Sequence, residues 1–142
     1  MHLLINRFAR KGEGHTQADL IMQRFADLGI DVSLVQGETI SEIDVSLRRI
    51  VSAGQQRLIV AGGDGIIHHA IQALAQSETI LGIVPIGTGN DFCRSLDYPM
   101  NIEEAIDRAM GDAVWTDLLK VGDRWVASVV TFGFSGIVNT KA

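Results

Sequence analysis

The sequence predicts an α/β fold, in which a mostly parallel sheet carries helices on both faces. Short apolar runs alternate with stretches of helical periodicity over residues 1–112, which is the order expected of repeated strand–helix units. The run at residues 58–61 is apolar throughout, as is typical of a strand with both sheet faces covered. After residue 112 two strand-like runs follow each other directly, so we predict a second, β-rich unit over residues 113–142.

Two strand–helix units are predicted in the first part of the chain. Residues 3–6 form an apolar run, and residues 30–34 alternate apolar and polar side chains with the period of a strand. Each run is followed by a polar pair with the spacing of a helix cap, and then by apolar residues three and four apart. The predicted cap pairs are Thr16 with Asp19 and Ser41 with Asp44, and the predicted buried positions are Ile21, Phe25, Leu28, Ile43, Leu47 and Ile50. A glycine, Gly29 or Gly54, stands where each helix should end.

The next units complete the predicted sheet. Strands are predicted at residues 58–61 and 80–84, and Pro85 stops the second of them. The two predicted helices have apolar residues at Ile67, Ala70, Ile71 and Leu74, and at Ile102, Ala105, Ile106 and Ala109. Asn101 with Glu104 predicts the N-terminal cap of the later helix, which Gly111 ends.

The C-terminal unit begins with a predicted β-hairpin. Its strands are residues 115–121 and 125–132, joined by Gly122 and Asp123, a pair suited to a two-residue loop. An isolated hairpin is marginally stable and leaves an open edge, so we expect this one to join two copies of the chain into a homo-oligomer. The side chains expected to be exposed are Trp125, Val126, Val129, Val130 and Phe132.

Composition places the chain among ordinary globular proteins. Its 142 residues are 46% hydrophobic, enough for one core, and the single cysteine, Cys93, excludes an internal disulfide framework. The formal net charge of −5 argues against a general nucleic-acid binder, so we expect no nucleic-acid partner. No apolar run reaches the roughly 18 residues of a membrane span, and the N-terminus lacks a signal-peptide pattern. We therefore expect a cytoplasmic location.

Three polar or glycine-rich loops follow predicted strands directly. Asn6 opens the first, residues 62–65 with the sequence GGDG form the second, and residues 87–91 with the sequence GTGND form the third. Loops that follow parallel strands lie at one edge of the sheet, where open α/β sheets bind their ligands. We therefore expect the three loops to share one site.

The GGDG loop suits a phosphate group. Its glycines let backbone N–H groups approach an anion closely, or allow a positive φ angle, and the helix that follows adds the positive end of its dipole. Asp64 would repel a phosphate unless a Mg²⁺ ion lies between them, and the same residue could instead cap a helix. The chain has neither a P-loop motif nor GxGxxG, which argues against a P-loop NTPase and a Rossmann dehydrogenase.

Longer stretches around these loops resemble the diacylglycerol kinase-like lipid kinases. The segment LIVAGGDGIIHHAIQAL resembles their GGDG segment, LGIVPIGTGNDFCRSLDYP resembles their GTGNDF segment, and LLINRFARKGEG is similar to their first-strand segment. GGDG alone is shared with NAD kinases and phosphofructokinases, whereas its combination with GTGNDF is more specific. The resemblance extends over nearly the whole chain and implies a sheet like the N-terminal domain of those enzymes.

The resemblance implies an ATP-dependent kinase that phosphorylates the hydroxyl of a diacylglycerol-like or sphingoid lipid. ATP and Mg²⁺ would be its cofactors, and the protein would contact its lipid substrate peripherally at a membrane surface. The residues that match the family's nucleotide-binding motifs are Asn6, Gly62, Gly63, Asp64, Gly65, Gly87, Thr88, Gly89 and Asn90. Asp64 is the first candidate for a catalytic residue within this chain, and no metal ligands are assigned.

The chain also departs from the family pattern. The substituted positions are Arg7 for proline, Ile66 for threonine, His68-His69 for Asn-Glu, and Ser135 for aspartate. The largest difference is length, because the family carries a second β-rich domain with the aspartate proposed as general base, and only its opening falls within residues 113–142. We therefore expect an incomplete lipid kinase. The alternatives are an NAD kinase-like enzyme and a non-catalytic nucleotide-binding module.

The remaining reactive side chains have structural explanations. Adjacent histidines on a helix point in different directions, so His68 and His69 cannot chelate one ion together. We expect His68 to pack, and we consider a position at the nucleotide edge for His69. Cys93 is expected to pack as a small apolar residue, since no base partner is implied for it.

Overall fold

Four strands form a parallel sheet and two more form a separate hairpin. The structure, a computed structural model, describes residues 1–6 and 14–127. The strands are β1 (His2–Ile5), β2 (Ser33–Leu34), β3 (Arg57–Gly62), β4 (Ile80–Pro85), β5 (Leu119–Val121) and β6 (Arg124–Val126). The helices are α1 (Gly14–Asp27), α2 (Ile40–Ser52), α3 (Asp64–Leu74), α4 (Asp91–Ser95) and α5 (Ile102–Met110). Arg7, Ser135 and residues 128–132 of the predicted last strand lie outside the described residues.

The sheet has the order β2-β1-β3-β4, and every neighbouring pair is parallel. Ile5 pairs with Ala61, and Gly62 pairs with Pro85, so β1, β3 and β4 end at the same edge. The predicted mostly parallel α/β fold is confirmed. Because the strands end together, the loops that follow them begin side by side.

Strand β3 explains why its sequence is apolar without interruption. Leu58 and Val60 face a core shared with α2, α3 and α4, whereas Ile59 and Ala61 face a core shared with α1 and α5. All four side chains are fully buried. Successive residues of a strand point to opposite faces, so a sheet covered on both sides demands apolar residues at every position.

Helix boundaries differ from the sequence predictions in two places. Helix α1 begins at Gly14, before the predicted Thr16–Asp19 cap, and α2 is capped by Thr39 rather than by Ser41 with Asp44. Thr39 and Glu42 form a complete capping box, in which each side chain accepts from the other's backbone N–H. Two overlapping polar pairs, Thr39 with Glu42 and Ser41 with Asp44, have the same spacing at the start of this helix. Spacing alone does not show which pair forms the cap.

Other helix ends agree with the sequence. The Asn101 side chain accepts from the N–H groups of Glu103 and Glu104 at the start of α5. Gly29 has a φ of +67° and ends α1, as predicted. Leu28 lies beyond the last turn of α1 and is 41% exposed, so its predicted burial is wrong.

The first strand of the hairpin is shorter than predicted, and the hairpin is not isolated. Strand β5 starts at Leu119 rather than at residue 115, and Gly122 adopts a φ of +58° in the predicted two-residue loop. Trp125 is half-buried and packs against the core of α2 and α3, so its predicted exposure is wrong. Val126 is likewise half-buried. A hairpin is marginally stable when it is isolated, and here α3 covers one side of it and stabilises it.

Candidate functional site

The first and second loops meet at Asn6 and Gly62. The N–H of Asn6 donates to the carbonyl of Ala61 at 2.9 Å, which extends the β1–β3 pairing by one bond. A Cβ atom placed on Gly62 would lie 3.5 Å from Cβ of Asn6 and would overlap the side chain of Ile66. Gly62 is therefore required by close packing beneath the site, and it holds Asn6 beside the GGDG loop.

The second and third loops touch through their backbones. A Cβ atom placed on Gly63 would lie 3.1 Å from Cα of Gly87, and one placed on Gly87 would overlap the backbone of Gly63. None of the loop glycines at 62, 63, 65, 87 and 89 has a positive φ angle. The expectation of a positive φ is wrong here, and close approach between the two loops is the reason for glycine at 63 and 87.

Asn90 closes the third loop onto itself. Its Nδ2 donates to the carbonyl of Gly87 at 2.9 Å, and the N–H of Gly87 donates to its Oδ1 at 3.1 Å. Asn90 is only 5% exposed and has a φ of +54°, a left-handed conformation that asparagine tolerates better than most residues. Thr88 and Gly89 form the exposed tip of this loop. Asn90 therefore shapes the loop, and the tip is left to face a ligand.

Asp64 joins the GGDG loop to α4. Its Oδ2 accepts from the N–H of Asp91 and its Oδ1 accepts from the N–H of Phe92, each at 3.1 Å. The carboxylate caps the N-terminus of α4 and not the helix that its own loop opens. Each oxygen keeps a second lone pair, so it can still accept a hydrogen bond from a metal-bound water.

The N-terminus of α3 has no side-chain cap. Its N-cap residue is Gly63, which makes no side-chain capping hydrogen bond. By contrast, Thr39 caps α2 and Asn101 caps α5. A Cβ atom placed on Gly65 would meet nothing within 4 Å. The first turn of α3 thus presents backbone N–H groups and open space, the combination that an anion binds.

The histidines of α3 point to different neighbours. Nδ1 of His69 lies 3.1 Å from Oδ1 of Asp44 on α2, so this side chain is directed at the neighbouring helix. Burial, His69 and the nearby Arg124 all lower the pKa of His68. Among residues 1–6 and 14–127, no three His, Cys, Asp or Glu side chains are grouped as a metal site.

Cys93 packs as expected. It is fully buried, and burial together with the negative charge of Asp64 raises the pKa of its thiol to about 12. The thiolate is the reactive form of cysteine, so a thiol with this pKa is inert at neutral pH.

Sequence reasoning missed α4 and a residue that it contributes to the site. Nε of Arg94 donates to the carbonyl of Gly89 at 2.9 Å and steadies the exposed tip of the third loop. Arg94 also lines a cleft of about 550 Å³ between α1, the third loop and the start of α5. The five-residue helix is too short to show apolar periodicity. The one signal that could have indicated it is the resemblance around GTGNDF, which includes residues 91–95.

Comparison with known proteins agrees with this geometry. The sequence model of the "Diacylglycerol kinase catalytic domain" matches residues 1–121. The chain belongs to this family. A "Diacylglycerol kinase" of Mycobacterium tuberculosis is 30% identical, with 98% of this chain and 47% of that protein covered. A "Probable lipid kinase YegS-like" of Serratia proteamaculans is 33% identical, with 92% of this chain and 45% of that protein covered.

A solved structure shares the fold. The crystal structure of a diacylglycerol kinase from Bacillus anthracis str. Sterne superimposes with a TM-score of 0.74 at 27% identity, over 87% of this chain and 44% of that one. The chain spans slightly less than half the length of each of these three relatives. None of the described helices is long and apolar enough to cross a membrane.

Proposed function

We propose that this chain is the nucleotide-binding part of a lipid kinase, which transfers the γ-phosphoryl group of ATP to a lipid hydroxyl. The supporting observation is the N-terminus of α3, which has no side-chain cap from its N-cap residue and lies where Asn6 and the third loop approach the GGDG loop. A triphosphate would receive hydrogen bonds from backbone N–H groups there, and the helix dipole favours its negative charge. Membership of the diacylglycerol kinase family supports the choice of a lipid acceptor.

The residues have separate roles in this proposal. Gly62, Gly63 and Gly87 bring the backbones together, Gly65 leaves room for the phosphates, and Thr88 and Gly89 face the nucleotide. Asp64 is the proposed catalytic residue, which would help to hold Mg²⁺ while it caps α4. The ion would neutralise charge on the phosphates. The lipid oxygen forms a bond to the γ-phosphorus and its hydroxyl proton is released to solvent, while the bond to the β–γ bridging oxygen breaks and ADP leaves. Phosphoryl transfer depends mainly on positioning and charge neutralisation, which such a cradle supplies.

A glycine-to-alanine pair tests the phosphate site. Gly65→Ala adds a methyl group where the protein has open space, so it should preserve the fold yet weaken Mg-ATP binding about tenfold or more. Gly111→Ala is the matched control, because Gly111 lies at the far end of α5 and its added methyl would make only ordinary contacts. Calorimetry of Mg-ATP binding to the three proteins makes the measurement. Equal affinity of the Gly65→Ala variant would remove the GGDG loop from the site.

Substrate class needs a separate assay. In the protein expressed from its complete reading frame, we expect Mg²⁺-dependent phosphorylation of diacylglycerol or sphingosine and none of NAD. Phosphorylation of NAD would instead support the NAD kinase-like alternative. Nucleotide binding without transfer to any of the three acceptors would support a non-catalytic module. The expected place of action is the cytoplasmic surface of a membrane, where the lipid acceptor lies.

We also propose that two copies of the chain associate through the hairpin region. Trp115 is 91% exposed and Leu119 is 66% exposed, and β5 pairs only with β6 among the described residues. Exposed apolar residues beside an open strand edge favour self-association. Light scattering should therefore show a dimer of the 142-residue chain at micromolar concentration, and the double variant Trp115→Ser, Leu119→Ser should be monomeric. A monomeric parent chain would contradict this association.

A further inference from the structure

The cleft between α1, the third loop and the start of α5 has a volume of about 550 Å³, which suits a small ligand. It belongs to the face of the sheet that α1 and α5 cover, whereas α3 packs into the core on the opposite face. The cleft is therefore separate from the proposed phosphate site at the N-terminus of α3, although the third loop lies beside both.

Two side chains that line this cleft each carry a buried polar atom without a hydrogen-bond partner in the described part of the chain. These atoms are Oε1 of Gln17 and Nε of Arg24. The two residues are seven apart on α1, so they lie two turns apart on one face of the helix. Nη2 of Arg24 lies 3.3 Å from Oδ1 of Asp107 on α5, and this ion pair holds the guanidinium beside the cleft. Buried polar atoms are normally paired, and a small rotation of these long side chains would offer both atoms to a ligand.

Arg94 supplies a second guanidinium group to the same cleft. Its Nε donates to the carbonyl of Gly89, and its two terminal nitrogens make no hydrogen bond to residues 1–6 or 14–127. Backbone N–H groups at the start of α5 donate to Asn101 instead. An anion in this cleft would therefore be bound by arginine side chains, whose forked donors match the oxygens of a phosphate.

The cleft also requires hydrogen-bond donors from its ligand. Asp27 and Glu103 line it, and the unpartnered oxygen of Gln17 is a further acceptor. Hydroxyl groups beside a phosphate would donate to such oxygens, whereas a bare phosphate would be repelled by the carboxylates. Leu20 and Met100 line the same cleft and are 55% and 36% exposed, so apolar surface adjoins the polar groups.

We propose that this cleft is a second binding site, which takes a polyol phosphate. The phosphate accepts hydrogen bonds from Arg24 and Arg94, and a hydroxyl of the polyol donates to Oε1 of Gln17. Such a group occurs as a free small molecule and as the headgroup of a phospholipid, whose apolar part would contact Leu20 and Met100. The site does not depend on nucleotide binding, because Gln17 and Arg24 lie outside the three loops.

The first test measures binding of glycerol phosphate to the 142-residue chain by calorimetry. We expect saturable binding that Arg24→Gln weakens about tenfold, since a hydrogen bond between charged groups is lost. Arg48→Gln is the matched control, because Arg48 is exposed on α2 at the other face of the sheet and loses the same charge. Absence of saturable binding, or equal affinities of the parent and Arg24→Gln, would overturn the site.

The second test concerns the hydroxyl group. Gln17→Met keeps the length of the side chain but removes the acceptor, so it should reduce the affinity for glycerol phosphate to that for inorganic phosphate. Its affinity for inorganic phosphate should equal that of the parent, which also shows that the variant is folded. Unchanged affinity for glycerol phosphate in Gln17→Met would overturn the choice of a polyol.

A third test separates the cleft from the GGDG loop, which also suits a phosphate. Gly65→Ala places a methyl group in that loop and should leave the binding of glycerol phosphate unchanged. A loss of affinity in Gly65→Ala would place the phosphate at the GGDG loop and overturn the cleft.

Sedimentation with vesicles identifies the source of the polyol phosphate. Vesicles of phosphatidylglycerol present a phosphate with hydroxyl groups, and vesicles of phosphatidylcholine lack the hydroxyl groups. Binding to phosphatidylglycerol alone, lost in Arg24→Gln and kept in Arg48→Gln, would assign the cleft to a phospholipid headgroup. Binding of glycerol phosphate without binding to either vesicle would assign it to a free polyol phosphate. Equal binding to both vesicles that Arg24→Gln leaves unchanged would overturn the headgroup assignment.

Discussion

The loop at residues 62–65 and the loop at residues 87–91 lie at the same edge of the sheet, yet their glycines have different surroundings. Gly65 has open space where a side chain would be, whereas Gly87 lies directly against the backbone of Gly63. The first loop ends in a helix without a side-chain cap, and the second ends in a helix capped by Asp64. The first loop leaves open space at Gly65, whereas the second is closely packed at Gly87 and exposes only its tip at Thr88 and Gly89.

This difference shows that a glycine-rich pattern contains two kinds of glycine. One kind leaves space for a phosphate, and the other allows two backbones to touch. Substitution should therefore affect ligand binding in the first case and stability in the second. The Gly65→Ala variant described above tests the open glycine, and the following predictions test the packed loop.

Gly87→Ala should have the largest effect. Its added methyl would overlap the backbone of Gly63, which cannot move without displacing β3 or α3. Overpacking against backbone should lower the free energy of unfolding by about 3 kcal/mol. Urea denaturation of Gly87→Ala beside Gly65→Ala measures the contrast, since the latter should match or slightly exceed the parent chain in stability. Equal stabilities of the two variants would break the comparison between the loops.

Asp64→Asn should have the next largest effect. Both carboxylate oxygens accept backbone N–H groups, and asparagine would place its own NH₂ group against one of those donors. We expect a loss of about 2 kcal/mol in the free energy of unfolding, because hydrogen bonds to charged groups contribute about 1.5–3 kcal/mol. Asp97→Asn is the control, since Asp97 is exposed with a φ of +49° that asparagine accepts.

The same variant tests whether Asp64 acts through Mg²⁺. If Asp64 also acts through Mg²⁺, the dependence of ATP affinity on Mg²⁺ should weaken in Asp64→Asn beyond what the lost stability explains. Calorimetry with and without Mg²⁺, at a temperature where the variant is folded, gives the answer. An unchanged Mg²⁺ dependence would leave Asp64 with its capping role alone.

The smallest effect concerns Cys93, which is buried behind the packed loop. Its pKa is raised to about 12 in the folded chain, so the folded protein keeps the proton that the unfolded chain loses near pH 9. Its contribution to stability is therefore complete below that pH and is lost as the pH rises further. The free energy of unfolding should fall by about 1 kcal/mol more between pH 9 and pH 10 in the parent than in Cys93→Ala. Identical pH profiles would show that the thiol is not shielded.

Much of the fold could be predicted because apolar periodicity indicates which face of a helix or strand packs against the core. Phe25, Leu47 and Ile106 are fully buried as their helical spacing predicted. The Asn101 cap and the turn at Gly122 also followed from residue type, since both depend on neighbours close in sequence. The exposed Leu28 and the Thr39 cap were not predicted, because the exact residue at which a helix ends depends on competing local pairs.

By itself the sequence determined the alternation of strands and helices, the buried faces and the three loops at strand ends, because these depend on periodicity and local turns. Only the tertiary structure decided what the site residues touch. Asp64 caps a helix that starts 27 residues later, and Gln72 pairs with a residue 53 positions away. Such partners are chosen by the parallel register of β3 and β4 and by the packing of the hairpin on α3. Local periodicity predicts neither this register nor this packing, because it indicates only which face of an element is covered.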